Sequence, residues 1–557
     1  MSGPGHDMKL IPSFCLSFVA PLVALAACAS TALAQTTPLR NSPPAPAASS
    51  VVSSSTTDGK FLLKEVRFSP TRLMSPVELQ ALVKPFIGRE IDATELAVIA
   101  AAVRRAYDER GLGMAGVGFP SQDLTQGVLQ VAIVEPQVER VTVEASPKPP
   151  VSVARVAKVL DNAGIRAGEP LDLEMLDRAL FTLNDWPGVA AKATLLPSGD
   201  EGKYRVSVQT EPRRPWDASI DFDNHGSSVS GRYRLGTLLR WNNPAGIGDN
   251  LDLRLLASNG KGTTVGRLGY EAPLGATPWR AGLGYSRVGY ELGEQFEGAG
   301  AVGSANVVDA SLSYPLIRTR EKNLVGRAGF SSKKLVDEFG QSTLKHMRGV
   351  DFGMSYESRS TWGGGGYNGG TVSLQFGRLR IDTEDYRLAD EQLGDGATQG
   401  SFTKLSLQLS RLQALTRTLS LFVGGAGQWA SKNLDNAEKF TLGGDKGVRA
   451  YPAAEGSSDQ GVLLNTELRY WINPQWSSYL FYDVGHGQLQ KRPADTAQGA
   501  TPVANTRTLH GTGLGVQFTN PELFTLKASL ALRGSEPVQS EGSNPRYRLL
   551  VQIQHSF

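Results

Sequence analysis

The sequence predicts a mainly β protein: a sixteen-stranded antiparallel transmembrane β-barrel preceded by two β-α-α-β-β modules. Three observations carry this. Residues 61–211 repeat one strand–helix pattern, residues 212–557 alternate apolar and polar side chains in sixteen candidate strands, and the connections between those strands alternate between short and long.

Residues 1–34 read as a secretory signal peptide. Lys9 supplies the positive start, Ile11 to Ala27 the apolar stretch, and Ala32-Leu33-Ala34 a small-x-small cleavage site. Leu25-Ala26-Ala27-Cys28 offers a competing lipoprotein site, but Ala32-Leu33-Ala34 ends the apolar stretch more naturally. Cys15 and Cys28 are the two cysteines of the chain and both lie here. The chain after Ala34 therefore has no disulfide, thiolate metal site or cysteine nucleophile. Beyond residue 34 no run of 18 apolar residues occurs, so a membrane-spanning part must be a closed barrel. A net charge of +3 gives no field that points to nucleic acid.

Residues 35–60, rich in Ser, Thr, Pro and Ala, read as a flexible linker. The first module is expected over 61–136 and the second over 137–211. In each, a long helix carries apolar residues at helical spacing: Leu96, Ile99, Val103 and Tyr107, then Leu173, Leu176, Leu180 and Leu183. Gly111 and Gly188 are placed to close those helices. "MAGVGF" and "VAAKATLLP" are candidate exposed sheet edges.

From residue 212 helical periodicity gives way to alternation, with most strands expected at 9–12 residues, the length a tilted strand needs to cross a bilayer. Counted back from the C-terminus, the connections run about 11, 5, 20, 4 and 31 residues. Short turns on one side and long loops on the other are the outer-membrane pattern; a soluble propeller lacks that alternation. The last stretch, "YRLLVQIQHSF", is the expected closing strand, with Tyr547, Leu549, Val551 and Ile553 toward lipid and Phe557 at its end. In "GVLLNTELRYWI", Val462, Leu464, Leu468 and Tyr470 share one face, leaving Asn465, Glu467 and Arg469 on the other. In "SSYLFYDVGHG", Leu480, Tyr482 and Val484 face out, so Phe481 and Asp483 face in. Alternation alone places Glu467 and Asp483 inside the barrel on neighbouring strands.

Signals for catalysis are weak. Gly111-Leu112-Gly113-Met114-Ala115-Gly116 spells a dinucleotide motif but follows a helix and precedes a strand, the reverse of what such a site requires. Gly226 to Ser230 nearly spells a nucleophile elbow but ends in Ser. The histidines after residue 34 lack metal-ligand spacing. No cofactor, metal or catalytic residue is expected.

Two such modules before a sixteen-stranded barrel ending in Phe resemble the two-partner secretion transporters of the hemolysin secretion/activation type, in which the modules are POTRA domains. The most specific likeness lies in the sixth outer loop, 430–460, whose tip Val448-Arg449-Ala450-Tyr451 corresponds to the family's Val-Arg-Gly-Tyr. Ala450 departs from it, so any tight turn there must suit alanine. The resemblance implies that the loop folds into the barrel and that Arg449 pairs with the Asp of a Phe-x-Asp motif, here Phe481 and Asp483, with Glu467 also in reach. The alternative is that Arg449 is solvated. "DNHGSSVSGRYRLG", with Asp223, Asn224, Gly226, Gly231 and Arg234, resembles the family's first hairpin and is read as a turn without a binding role. Members often carry a plug helix ahead of the first module; residues 35–60 show no helical pattern.

The resemblance implies the partners: a large secreted exoprotein captured through its N-terminal secretion domain, outer-membrane lipid, and the barrel assembly machinery acting on the strand ending in Phe557. The expected site is the outer membrane, with the modules in the periplasm. An assembly factor for other barrel proteins is the alternative function; a plain porin is a third.

Overall fold

The computed structural model describes residues 60–144, 146–260, 262–493 and 504–557. The expected signal peptide, nearly all of the expected linker and the question of a plug helix lie outside the described residues.

The first module comprises β1 (Phe61–Leu62), β2 (Glu65–Phe68), α1 (Pro76–Val83), β3 (Glu90–Ile91), α2 (Ala93–Asp108), β4 (Gly116–Gly118) and β5 (Val128–Val134). α1 tightens into a 3₁₀ turn over Lys84–Phe86, where Pro85 has no N–H to continue the α-helical ladder. The stretch "FLLKEVRF" forms two short strands with a break between them: Leu63 is buried, and its N–H and C=O turn to Arg89 and Gly88. Asp92 caps α2 by accepting from the Thr94 and Glu95 N–H groups, a contact worth about 1 kcal/mol. The face Leu96, Ile99, Val103 and Tyr107 is buried against the sheet β2-β5-β4.

The second module repeats the plan with β6 (Gln137–Glu144), α3 (Val153–Asn162), α4 (Leu173–Asn184), β7 (Val189–Pro197) and β8 (Lys203–Pro212) in the order β6-β8-β7. Leu176, Leu180 and Leu183 are buried and Leu173 packs at the margin. Both β4 and β7 lie at sheet edges.

Sixteen strands then close a barrel. They are β9 (Trp216–Asp223), β10 (Arg234–Asn242), β11 (Asn250–Ser258), β12 (Thr263–Pro273), β13 (Arg280–Glu291), β14 (Val302–Arg318), β15 (Lys322–Phe339) and β16 (Gln341–Ser360), followed by β17 (Gly366–Ile381), β18 (Gly400–Ala414), β19 (Leu419–Ala430), β20 (Gln460–Trp471), β21 (Trp476–Gln488), β22 (Thr506–Asn520), β23 (Phe524–Arg533) and β24 (Tyr547–Ser556). All pair antiparallel with their neighbours, and β24 returns to β9. The closing seam is short, from Gln552 opposite Asp223 to Ser556 opposite Ser219, and the Phe557 N–H adds a bond to the Ala218 carbonyl. Asn224 extends the seam with its side chain, donating to the Leu549 carbonyl and accepting from the Val551 N–H, each at 2.8 Å.

Two expectations are corrected. Strands β14 to β18 have 15 to 20 residues, longer than the expected 9–12. Beyond the apolar band they continue as a paired ribbon, and β15 turns into β16 at Gly340 alone, with φ of +70°. Polar side chains hold that ribbon, as where Lys345 bridges Asp337 and Asp435 at 3.0 and 2.9 Å. The barrel region is also not free of helix: α5 (Glu384–Gln392) lies in the loop after β17, where nine polar-rich residues gave no apolar stripe to read.

The second module sits on the short turns of the barrel. Arg155 donates to the Gly275 carbonyl at 2.6 Å, Asn243 to the Pro150 carbonyl at 2.6 Å, and Arg318 forms a bidentate pair with Asp185. Trp186 is buried against Gly248, whose φ is +83° and where a Cβ would stand 2.6 Å from the indole. Only glycine permits both that conformation and that approach.

Candidate functional site: an arginine clasp inside the barrel

The loop between β19 and β20, residues 431–459, folds back into the barrel. Its tip rests on the inner faces of β20, β21 and β22. Period-two geometry fixes those faces: Leu480 and Tyr482 are exposed outside, while Tyr479, Phe481 and Asp483 are buried within. Antiparallel register sets Asn465 opposite Asp483 and Glu467 opposite Phe481, so the two carboxylates lie on a diagonal.

Arg449 occupies the space between them. Its Nε and Nη2 donate to the two Asp483 oxygens at 2.8 and 2.7 Å, and its backbone N–H adds a third bond at 3.1 Å. Nη1 donates to Glu467 at 2.5 Å. The guanidinium lies 3.7 Å over the centre of the Phe481 ring, so one ring face contributes to the attraction. Asn465 ties Asp483 to the Gly447 carbonyl, and Arg469 takes the second Glu467 oxygen. Residual exposure is 4% for Arg449, 5% for Glu467 and 0% for Asp483. The ion pair is dry, so desolvation offsets much of its attraction, but removing one partner leaves the other charge buried and uncompensated.

The other tip residues supply packing. Val448, Ala450 and Tyr451 are buried, and the Tyr451 hydroxyl donates to the Glu536 carbonyl at 3.0 Å. Ala450 has no left-handed backbone, so the turn suits alanine. Its methyl fills space that Gly511 leaves on β22, where a Cβ would meet it at 2.6 Å.

The model of the haemolysin secretion/activation protein family ShlB/FhaC/HecB matches residues 202–518, more than half of the chain. The chain belongs to this family. A ShlB-type POTRA domain matches residues 61–136. The heme/hemopexin transporter protein HuxB of Haemophilus influenzae (strain 86-028NP) is 27% identical over 481 residues, spanning 85% of this chain and 83% of the relative. The outer membrane transporter CdiB of Dickeya dadantii is 25% identical over 456 residues, 78% of each. Among solved structures, CdiB from Escherichia coli superposes with a TM-score of 0.70 at 19% identity, covering 92% of this chain and 93% of that one. BamA from Haemophilus ducreyi lacking POTRA domains 1–3 gives 0.53 at 12% identity, over 90% and 100%, a likeness of fold alone.

As a member of the haemolysin secretion/activation family, the protein is a two-partner secretion transporter of the outer membrane that exports a large exoprotein, with its POTRA modules in the periplasm. The short turns that hold the second module therefore face the periplasm, and loop 431–459 enters from outside.

That loop has further fastenings which sequence reading missed. Glu438 is buried between Lys333 of β15 and Lys404 of β18, and Asp435 pairs with Lys345 of β16. Asp445 stands 3.5 Å from His225 in the first outer loop, beside the buried Asp223–Arg234 pair. Glu455 accepts from the Gln539 and Ser540 N–H groups of the last outer loop at 3.1 and 2.9 Å, and from Arg507. Ala454 precedes it with φ of +70°, a left-handed turn that costs alanine about 1 kcal/mol and aims Glu455 at that loop. Loop carboxylates have no period to read, but Lys333 and Lys404 do: each falls at a lumen-facing place, and a buried cation needs an anion. The first hairpin is likewise more than a turn, since Asn224 secures the seam and Asp223 holds Arg234.

Proposed function

We propose that the POTRA modules capture the N-terminal secretion domain of an unfolded exoprotein in the periplasm, and that loop 431–459 is a releasable strap, held by Arg449 on Asp483 and Glu467, that yields as the chain passes. The observation that carries this reading is the dry Arg449 clasp at mid-barrel. A loop serving only as a surface cover has no need to bury three charges beside the lumen wall.

The edge strands β4 and β7 are the places where an extended segment would join by strand addition, displacing Arg104 from the Val117 carbonyl or passing beyond Ala191, whose N–H and C=O Asn184 already holds. Folding of the cargo outside supplies the pull, because the sequence has no G-K-[ST] phosphate loop to draw on a nucleotide. The strand ending in Phe557 is the segment the barrel assembly machinery reads. No catalytic step is assigned to any residue.

The test is genetic and biochemical together. Cells lacking this gene are expected to lose one large protein from the surface or medium, restored by the full chain but not by a chain lacking 61–136. General loss of other outer-membrane barrels would instead assign an assembly role, and restoration by the truncated chain would remove the first module from capture.

A further inference from the structure

A recess of about 420 Å³ opens on the outer wall of the barrel, lined by Phe330, Val350, Phe376, Arg348, Arg378 and Ser401 among others. Strand register orders its surroundings into rows. Ser332, Arg348, Arg378 and Ser401 stand at one height across β15 to β18. One step toward the bilayer centre come Phe330, Val350, Phe376 and Thr403, and below them Ala328, Phe352, Leu374 and Leu405. One step outward come Arg287, Asn306, Lys334, His346 and Arg380, from β13 to β17. The apolar band thus ends abruptly in a cationic belt at the edge facing the cell exterior.

These cations are not explained by the rest of the protein. Arg287, Lys334, Arg348 and Arg378 are exposed, and among the described residues none forms an ion pair. Among the described residues Asp382 pairs with His346 and Arg380 alone. Arg348 lies directly opposite Arg378 across the β16–β17 ladder, and like charges so placed destabilise a bare sheet. The belt is also confined to one sector. At the corresponding lipid-facing places in the outer halves of β9 to β12 and β18 to β24, such as Phe222, Leu235, Ala257, Thr264, Leu464 and Leu549, no Lys or Arg occurs among the described residues.

The geometry points to a specific lipid site: Arg348, Arg378 and Lys334, flanked by Arg287 and Arg380, bind the phosphates of an acylated glycolipid of the outer leaflet, whose chains lie over Phe330, Val350 and Phe376. Arginine forks match phosphate oxygens in pairs, and the row beneath is apolar, so one amphipathic molecule satisfies both. The belt crosses four strand spacings, about 19 Å, wider than one phosphate, so the headgroup bears more than one.

The test uses the detergent-purified full chain, with bis-phosphorylated lipid A and phosphatidylglycerol as probes in native mass spectrometry. The wild-type chain is expected to bind one lipid A at least tenfold more tightly than phosphatidylglycerol. The Arg348→Gln/Arg378→Gln variant, checked for assembly by heat-modifiable gel migration, is expected to lose at least tenfold in lipid A affinity. Lys148→Gln/Lys192→Gln, at exposed places in the second module, is expected to bind as wild type. Wild-type affinity in the arginine variant would overturn the site, and equal affinity for phosphatidylglycerol would overturn the glycolipid. Should the double variant fail to assemble, Arg378→Gln alone decides: a loss of several fold supports the site and unchanged affinity rejects it.

Discussion

Replacing Arg449 with alanine removes the one cation that Asp483 and Glu467 share. Among the described residues Asp483 then keeps Asn465 and a backbone N–H, while Glu467 keeps Arg469. Breaking a buried pair by removing one partner costs about 3–5 kcal/mol, since the remaining charge stays desolvated. Here the strain is relieved when the tip leaves and water enters, so that cost is subtracted from the stability of the docked loop. Taking about 3 kcal/mol, the undocked population rises by about two orders of magnitude. Leu442 reports it, because its side chain is fully buried against Val448 and Tyr451 when the tip is docked and a cleavable bond to Gly443 follows it. Chymotrypsin cleavage after Leu442, in assembled barrels in detergent, tracks the open population when closing is faster than cutting. The variant is expected to be cut about a hundredfold faster than wild type, with the barrel still migrating as folded, and secretion of the exoprotein should fall. Arg449→Lys retains charge but not the fork and should lie between them. Cleavage within twofold of wild type in Arg449→Ala would refute the clasp as the element that holds the loop.

Two further outcomes follow from the fastenings. Glu455→Ala leaves the Gln539 and Ser540 N–H groups without their acceptor and takes from buried Arg507 its carboxylate, though Gln539 Oε1 and the Pro537 carbonyl still accept from it, at a cost of about 2 kcal/mol, so amide exchange at 539–540 should quicken about thirtyfold; exchange within twofold of wild type would show that the last outer loop holds itself. Asn224→Ala removes two hydrogen bonds from the short seam, about 2 kcal/mol together, and should lower the temperature at which the folded band converts on heated gels; an unchanged conversion temperature would mean that β24 and β9 close the barrel without it.

Much of this protein is legible because period two is a local property. Each barrel strand shows its own lipid and lumen faces, so strand number, the inward aim of Phe481, Asp483 and Glu467, and the closing role of "YRLLVQIQHSF" all follow from short stretches. The helices of the modules are legible for the same reason, with a period of 3.6 in place of two. The long ribbon of β15 and β16 was less so, because above the bilayer its outward residues are polar and the apolar signal fades while the hydrogen-bond ladder continues.

Alternation along each strand is enough to say which side chains face the barrel interior, and the family's loop motif singles out Arg449. The dryness of the clasp, the reach of Glu455 to a loop some 84 positions away, and the placing of Arg348 opposite Arg378 come from the folded chain. Those facts depend on register and on a loop folding back through closed space. They arise from contacts between distant segments, which no local pattern encodes.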